Sequence, residues 1–143
     1  MRVFTIGYEG ATVDEFVSAL TRAGVEQVAD VRAIAASRRP GFAKTSLAAN
    51  LHGARIGYRH FRALGTPKAG RDAAKKGDRQ TLERVYAGQL ELPEAQAEGE
   101  MLKVLVAERP TALVCFERDP AMCHRTLLIA AFMSDVEVID LYP

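Results

Sequence analysis

The sequence predicts an α/β fold in which a mainly parallel sheet is covered by helices on both faces. Short apolar and β-branched runs alternate with helical segments along nearly the whole chain, and this alternation is typical of right-handed βαβ units. The chain has 143 residues, the usual size of one domain, and no low-complexity linker or repeat divides it. We therefore expect a single three-layer domain over residues 1–143, with a sheet of about five strands.

The first half of the chain supplies three predicted strands and two predicted helices. Residues 2–6 form a β-branched and aromatic run that ends at Gly7. A helix is expected after Thr12, because Thr12 and Glu15 have the spacing of a capping box. Further strands are predicted over 25–31 and 56–64, with a short helix over 46–53 between them.

The second half begins with a segment of different character. Residues 66–78 are rich in Gly, Lys and Ala and contain one Pro, which predicts a mobile or ligand-ordered loop. Helices are expected over 81–90 and 93–108, with Pro93 in the first turn of the second helix. A buried strand over 112–116 and a last strand over 136–141 complete the predicted sheet.

Composition and charge exclude several classes of protein. The apolar fraction of 48% and the charged fraction of 26% are ordinary for a globular protein and argue against disorder. No secretory leader and no run of about 20 apolar residues is present, so we expect a cytoplasmic protein without membrane insertion. Cys115 and Cys123 are then expected to be reduced thiols.

The charges are unevenly placed along the chain. The formal net charge is only +1, yet Arg and Lys cluster between Arg38 and Arg79, where acids are scarce. Such a stretch is either a solvated surface or a phosphate contact. Because Tyr58 and Phe61 lie within it, direct binding of nucleic acid with base stacking is one function to consider.

The segment 111–132 carries the strongest functional signal. An apolar run stops at Glu117, Arg118 and Asp119, and Cys123 and His124 precede a second apolar run. This pattern predicts a strand, a polar turn and the first turn of a helix. In open α/β folds ligands bind where strand carboxyl ends and helix amino ends converge.

Two other predicted strands end in polar residues. Tyr8 follows the first strand, and Asp30 and Arg32 close the second. If these strands are parallel to the strand before Glu117, all three polar sets lie along one edge of the sheet. The sequence therefore predicts a shared pocket at that edge.

Cys123 has two interpretations. A helix amino terminus lowers a thiol pKa, which favours a nucleophile or redox thiol, whereas free cysteine is also a common small core residue. His124 is either a general acid or base or an anchoring side chain, and on a helix it would point about 100° away from Cys123. A zinc site is not predicted, since no CxxC pair or second histidine cluster accompanies Cys115.

The arginines near these strand ends also have two interpretations. Arg32, Arg118 and Arg125 could form a clamp for phosphate or carboxylate, because guanidinium groups bind such anions through two hydrogen bonds. Alternatively they pair within the protein, with Asp30, Glu117 and Asp119 as available acids. The residues alone favour neither.

Five short motifs together resemble a known family. They are TIGYEG, DVR followed by SR, GFAK, GYRHFRALG and CFERDPAMCHR, and in this order they are similar to the DUF488 family of small, largely uncharacterised prokaryotic proteins. The resemblance implies that Ser37 and Arg38 belong to the motif residues together with Asp30, Arg32, Glu117, Cys123, His124 and Arg125. Ala35 and Thr66 depart from the family pattern, where proline and glycine are common.

We expect a pocket that binds an anionic ligand, either a phosphate-bearing small molecule or a nucleic-acid fragment. Cys123 is the candidate nucleophile, with His124, Glu117 and Asp30 as the other candidate catalytic groups. The candidate ligand contacts are Tyr8, Arg32, Ser37, Arg38, Arg118 and Arg125. The alternative is a non-catalytic binding or regulatory module in which the Cys-His-Arg turn is structural. The sequence names no cofactor, and whether the protein is an enzyme stays open.

Overall fold

Five parallel strands form one sheet in the computed structural model, which describes residues 1–143. The strand order is β3-β2-β4-β1-β5, and every neighbouring pair is parallel. The strands are β1 (Arg2–Gly7), β2 (Gln27–Asp30), β3 (Gly57–His60), β4 (Thr111–Cys115) and β5 (Glu137–Leu141). The predicted α/β class and the number of strands are confirmed.

Six α-helices connect the strands. They are α1 (Val13–Arg22), α2 (Lys44–Gly53), α3 (Lys68–Lys75), α4 (Arg79–Leu90), α5 (Pro93–Glu108) and α6 (Arg125–Phe132). The predicted capping box is present, because Thr12 Oγ1 accepts from the Glu15 amide and the Glu15 carboxylate accepts from the Thr12 amide. No helix combines the length and the apolar character that crossing a bilayer requires.

The prediction of a loop over residues 66–78 was wrong, because α3 occupies most of this segment. The buried face of α3 consists of Gly70 and Ala73, so the helix lacks the large apolar residues that mark an amphipathic stripe. Small residues are sufficient here because α3 packs closely: a Cβ on Gly70 would lie 2.1 Å from Cγ2 of Thr66.

The sheet divides the core into two apolar layers. One contains Phe16 and Leu20 of α1, with Ile6 facing them from β1. The other contains Leu102 of α5 and Leu128 of α6, together with residues of the opposite sheet face. This is the three-layer arrangement that the sequence predicts.

The strand order places the candidate site. β1 connects through α1 towards β2, whereas β4 connects through α6 towards β5, and β1 and β4 are neighbours. The connections therefore leave the carboxyl ends of these two strands in opposite directions, and such a switch point leaves a crevice between them.

Candidate active site

A cavity of about 130 Å³ lies at the carboxyl ends of β1, β2 and β4. It is smaller than the roughly 300–1,000 Å³ of pockets for drug-sized ligands, so it fits a small molecule. Residues from three strand ends and from α3 and α4 line it, among them Tyr8, Arg32, Thr66, Arg71, Lys75, Leu82, Cys115, Glu117, Cys123 and His124. The predicted shared pocket therefore exists in the structure.

Both cysteines and one histidine converge on this cavity. The Nδ1 atom of His124 lies 3.6 Å from Sγ of Cys123 and 3.7 Å from Sγ of Cys115. The other ring nitrogen, Nε2, is 2.7 Å from the carbonyl oxygen of Val31. Because a carbonyl only accepts, Nε2 carries a hydrogen and Nδ1 is the atom available to the two sulfurs.

The turn before α6 brings these side chains together. Asp119 accepts from the Ala121 amide and starts a short 3-10 turn over Pro120–Met122, after which Cys123 is extended and His124 is the N-cap of α6. The expectation that Cys123 and His124 lie in the first helical turn was wrong. Their side chains are therefore not separated by a helical rotation, and they are close enough to interact.

The two thiols have opposite pKa shifts. Burial disfavours the Cys123 thiolate, but the hydrogen bond with Cys115 and the charges of His124 and Arg125 outweigh it and hold the pKa of Cys123 well below its usual range. Burial and the neighbouring Cys123 raise the pKa of Cys115 well above its usual range. Of the two sulfurs, Cys123 is therefore the one whose surroundings favour the thiolate.

Two ionisable neighbours complete the cluster. Burial opposes protonation of His124, yet the Cys123 thiolate and the bond to Val31 raise its pKa. Burial and the same thiolate raise the pKa of Glu117, and Glu117 Oε2 accepts from Sγ of Cys115 at 3.1 Å. The arrangement places a sulfur that favours the thiolate next to an imidazole that favours its protonated form, beside a second thiol with its own proton acceptor.

Arg125 lies beneath this cluster and does not line the cavity. Its side chain is fully buried, and Nη2 donates to the carbonyl oxygen of Glu117. Nε and Nη1 have no hydrogen-bond partner, and no carboxylate pairs with the guanidinium. An unpaired buried charge is costly, and the Cys123 thiolate is the anion available to offset it.

Arg32 lines the cavity and forms a buried ion pair with Asp30, which lies behind the wall. Arg32 donates from Nε to Asp30 Oδ1 at 2.8 Å and from Nη2 to Oδ2 at 2.7 Å. Arg32 Nη1 donates to the Phe42 carbonyl at 2.8 Å and to the Tyr8 hydroxyl at 3.2 Å, and the Tyr58 hydroxyl donates to Asp30. Asp30 therefore orients Arg32, and the guanidinium has few donors left for a ligand.

Besides Arg125, three more of the six predicted ligand contacts lie outside the cavity. Arg118 donates to the carbonyl oxygen of Pro143 at 2.7 Å and stacks on Tyr142 at the carboxyl end of the chain. Ser37 accepts from the Arg39 amide at 3.1 Å, and Arg38 is exposed. The structure thus brings Tyr8 and Arg32 to the cavity but does not bring these three with them.

Three cavity residues were missed by the sequence prediction. Thr66 is 3% exposed, and its hydroxyl oxygen has no hydrogen-bond partner. Arg71 donates to the Thr66 carbonyl at 2.8 Å, and Lys75 lies one helical turn beyond it on α3. Arg71 and Lys75 are four residues apart, so they share one face of a helix. The sequence shows this pairing only if the segment is assigned as helical.

A wider polar groove continues from the cavity. Its volume is about 560 Å³, and it shares Ala33, Ile34 and Arg71 with the cavity. Its other walls carry both acids and bases, including Arg62 and Glu98. A ligand whose reactive end enters the cavity therefore has room for a polar remainder.

Two aromatic residues of the basic stretch, Tyr58 and Phe61, differ in burial. Phe61 is 1% exposed and belongs to the core, and the hydroxyl of Tyr58 is bound to Asp30. The Phe61 ring is therefore closed to base stacking, and Tyr58 is half-buried with its hydroxyl held by Asp30.

One comparison with known proteins gives a match. A family model described as a domain of unknown function, DUF488, matches residues 12–132. The chain belongs to the DUF488 family. This confirms the resemblance seen in the motifs, while no curated protein and no solved structure matches the chain.

The cluster of Cys115, Cys123 and His124 also has the composition of a metal site. The donor atoms of Cys115, Cys123 and His124 lie within 4.8 Å of one another, and thiolate and imidazole are ligands that zinc accepts. The sequence argument against zinc considered only the spacing of the residues along the chain. In the fold, Cys115 at the end of β4 lies next to Cys123 and His124 in the turn before α6, so the spacing is no longer an objection. A metal would occupy the position of the thiolate and imidazolium interaction, so the two arrangements are mutually exclusive.

Proposed function

We propose that this DUF488 protein is a thiol-dependent enzyme in which Cys123 attacks a small anionic substrate held in the cavity. The observation that carries the proposal is the 3.6 Å approach of Cys123 Sγ to His124 Nδ1 at the cavity wall, and the unpaired buried guanidinium of Arg125 adds a second positive charge that lowers the pKa of Cys123. A thiolate is the reactive form of cysteine, and two neighbouring cations stabilise it.

The cavity wall supports an anionic substrate. Arg71 and Lys75 place positive charge at the wall of the cavity that the thiols also line, and the Thr66 hydroxyl is a buried polar group without a partner in the protein. Glu117 is the only carboxylate that lines the cavity, and burial raises its pKa. A ligand carboxylate or phosphate would satisfy the hydroxyl and the cations together.

The first prediction concerns the charge of the reagent. The quantity to compare is the rate of alkylation by anionic iodoacetate divided by the rate with neutral iodoacetamide. We expect this ratio to be higher for Cys123 than for a free thiol. The reason is that Arg71 and Lys75 attract the anion. Arg71→Gln combined with Lys75→Gln should lower the ratio of the two rates several-fold, measured by mass spectrometry of the alkylated peptide.

Lys76→Gln is the matched control for this experiment. Lys76 is an exposed neighbour of Lys75 that does not line the cavity, so its replacement changes the net charge as much as Lys75→Gln alone does but should leave the ratio nearly unchanged. Equal ratios in wild type and in the double variant would count against an anion site. Alkylation that never occurs at Cys123 would favour the non-catalytic module.

The second prediction concerns pH. Because the pKa of Cys123 is lowered, its thiolate persists as pH falls, so alkylation by iodoacetamide should remain fast below the usual thiol pKa of about 8.5. His124→Gln removes one stabilising cation and should move the inflection of the rate profile to higher pH. A wild-type profile that matches free cysteine would contradict this assignment.

A further inference from the structure

The second thiol suggests what kind of bond the substrate contains. Cys115 lines the cavity beside Cys123, both cysteines are free, and their sulfur atoms lie within 4.8 Å. We propose that Cys115 is a resolving thiol, which attacks the sulfur of Cys123 after Cys123 has reacted. The protein would then reduce a small anion that contains a sulfur–sulfur bond, an inference that rests on the proposed function. The product on the protein is a disulfide between Cys115 and Cys123.

The position of Cys115 favours exchange between sulfurs over attack on carbon or phosphorus. An acyl or phosphoryl intermediate on Cys123 would be released by water or an alcohol, and a second thiol in contact would have no part in that release. An intermediate with a disulfide bond to Cys123 is instead released by a neighbouring thiol. Cys115 is that neighbour, and it lies on the same cavity wall.

Glu117 gives the second thiol a proton acceptor. Cys115 must lose its proton to attack, and its Sγ lies 3.1 Å from Oε2 of Glu117, a carboxylate oxygen that can accept this proton. Glu117 in turn is positioned by its backbone, since its carbonyl oxygen accepts from the buried Arg125. The two thiols thus have separate partners, His124 for the attacking sulfur and Glu117 for the resolving one.

The exchange proceeds in two steps. The Cys123 thiolate attacks one sulfur of the substrate, so a bond forms between Cys123 Sγ and that sulfur while the substrate S–S bond breaks. The other half leaves as a thiolate with the electron pair. Cys115 then passes its proton to Glu117 and attacks Cys123 Sγ, which releases the second half as a thiolate that takes up this proton.

The electrons balance over both steps. The two cysteines lose two electrons together and become a disulfide, and the substrate gains them and becomes one thiol and one thiolate. An external dithiol is the class of reductant that returns the protein to its starting state. The sulfurs must approach to about 2.0 Å for the internal bond, which requires the extended Cys123 segment between the 3-10 turn and α6 to shift.

The test uses two small disulfides of similar size and different charge. The purified full chain is treated with dithiodiglycolate, which carries two carboxylates, or with neutral bis(2-hydroxyethyl) disulfide. We expect the wild type to lose two hydrogen atoms without retaining an adduct, as intact mass shows. Its reaction should favour the anionic reagent, and this preference should fall in Lys75→Gln but not in Lys76→Gln.

Cys115→Ser and Cys115→Ala should stop at the first step, with one half of the reagent attached to Cys123. Both variants remove the resolving thiol, and serine retains a polar group next to Glu117 in case alanine destabilises the fold. A stable adduct on wild-type Cys123 with Cys115 still free would overturn the resolving role while leaving the proposed function intact.

Two other outcomes would overturn the proposed function or exclude the exchange reaction. If Cys123 reacts with neither iodoacetate nor dithiodiglycolate in the folded chain, the proposed function itself fails. If the isolated protein holds stoichiometric zinc, and both thiols react only after a chelator removes it, the cluster is a metal site and the exchange reaction is excluded.

Discussion

Asp30→Asn is expected to destabilise the protein by about 3–5 kcal/mol, the usual cost of removing one partner from a buried ion pair. Asp30 is fully buried and Arg32 is 6% exposed, so the guanidinium would keep its charge without a counterion. The Tyr58 hydroxyl would also lose a charged acceptor. Urea unfolding followed by circular dichroism measures the change.

Asp72→Asn is the control for this experiment. Asp72 pairs with Lys68 at 2.9 Å, but both side chains are exposed, and exposed pairs contribute little because water screens them. Its replacement should leave the urea midpoint within experimental error. An Asp30→Asn midpoint equal to that of Asp72→Asn would show that the buried network is not stabilising.

The fold class was predictable because the pattern that specifies it is local. Alternating apolar runs and helical periods fix the order of elements, and buried parallel strands such as β4 are apolar along their whole length. Helix α3 was not predictable in the same way. Its buried face consists of Gly70 and Ala73, and small residues do not produce an apolar stripe that a sequence pattern can detect.

The place of the site was predictable, but its chemistry was only partly so. Parallel strands end at one edge, which is sufficient to bring Tyr8, Arg32 and Glu117 together. The contact between Cys123 and His124 depends on the 3-10 turn that delays the start of α6. Turn geometry of this kind is set by tertiary packing, so a helical assignment of Cys123 incorrectly separated the two side chains.

The charged wall of the cavity shows how one incorrect element affects a site prediction. With residues 66–78 predicted as a loop, Arg71 and Lys75 were only two of many basic residues between Arg38 and Arg79. The anion contacts were assigned instead to arginines outside this loop: Arg32, Arg38, Arg118 and Arg125. In the structure Arg118 contacts the chain terminus and Arg125 is buried below the thiols. The positive wall therefore comes from the segment whose pattern was least informative.

Gly7 at the end of β1 is the position where a single methyl group should have the largest effect. A Cβ at this residue would lie 1.8 Å from the carbonyl oxygen of Glu117 and 2.4 Å from its carbonyl carbon. Both are backbone atoms, so no side-chain rotation relieves the clash. We expect Gly7→Ala to destabilise the protein by more than about 3 kcal/mol, above the usual range for overpacking.

The clash also reaches the candidate active site, because the same carbonyl accepts from Arg125. Moving Glu117 away from β1 would break that bond and leave the buried guanidinium with no hydrogen-bond partner at all. In any Gly7→Ala protein that folds, alkylation of Cys123 should therefore be slower at low pH than in the wild type. The change would follow from displacement of Arg125, one of the cations that stabilise the thiolate.

Gly88→Ala provides a control of opposite sign. Gly88 is exposed in α4, and a Cβ there meets no atom within 4 Å. Alanine in such a helical position should stabilise the protein by about 0.5–1 kcal/mol, since glycine loses more conformational entropy on folding. The contrary result is a urea midpoint of unfolding that is the same in both glycine variants as in the wild type. The close approach of β1 to the Glu117 carbonyl would then not constrain the fold. Gly7 would also have no role in holding Arg125 beneath the thiols.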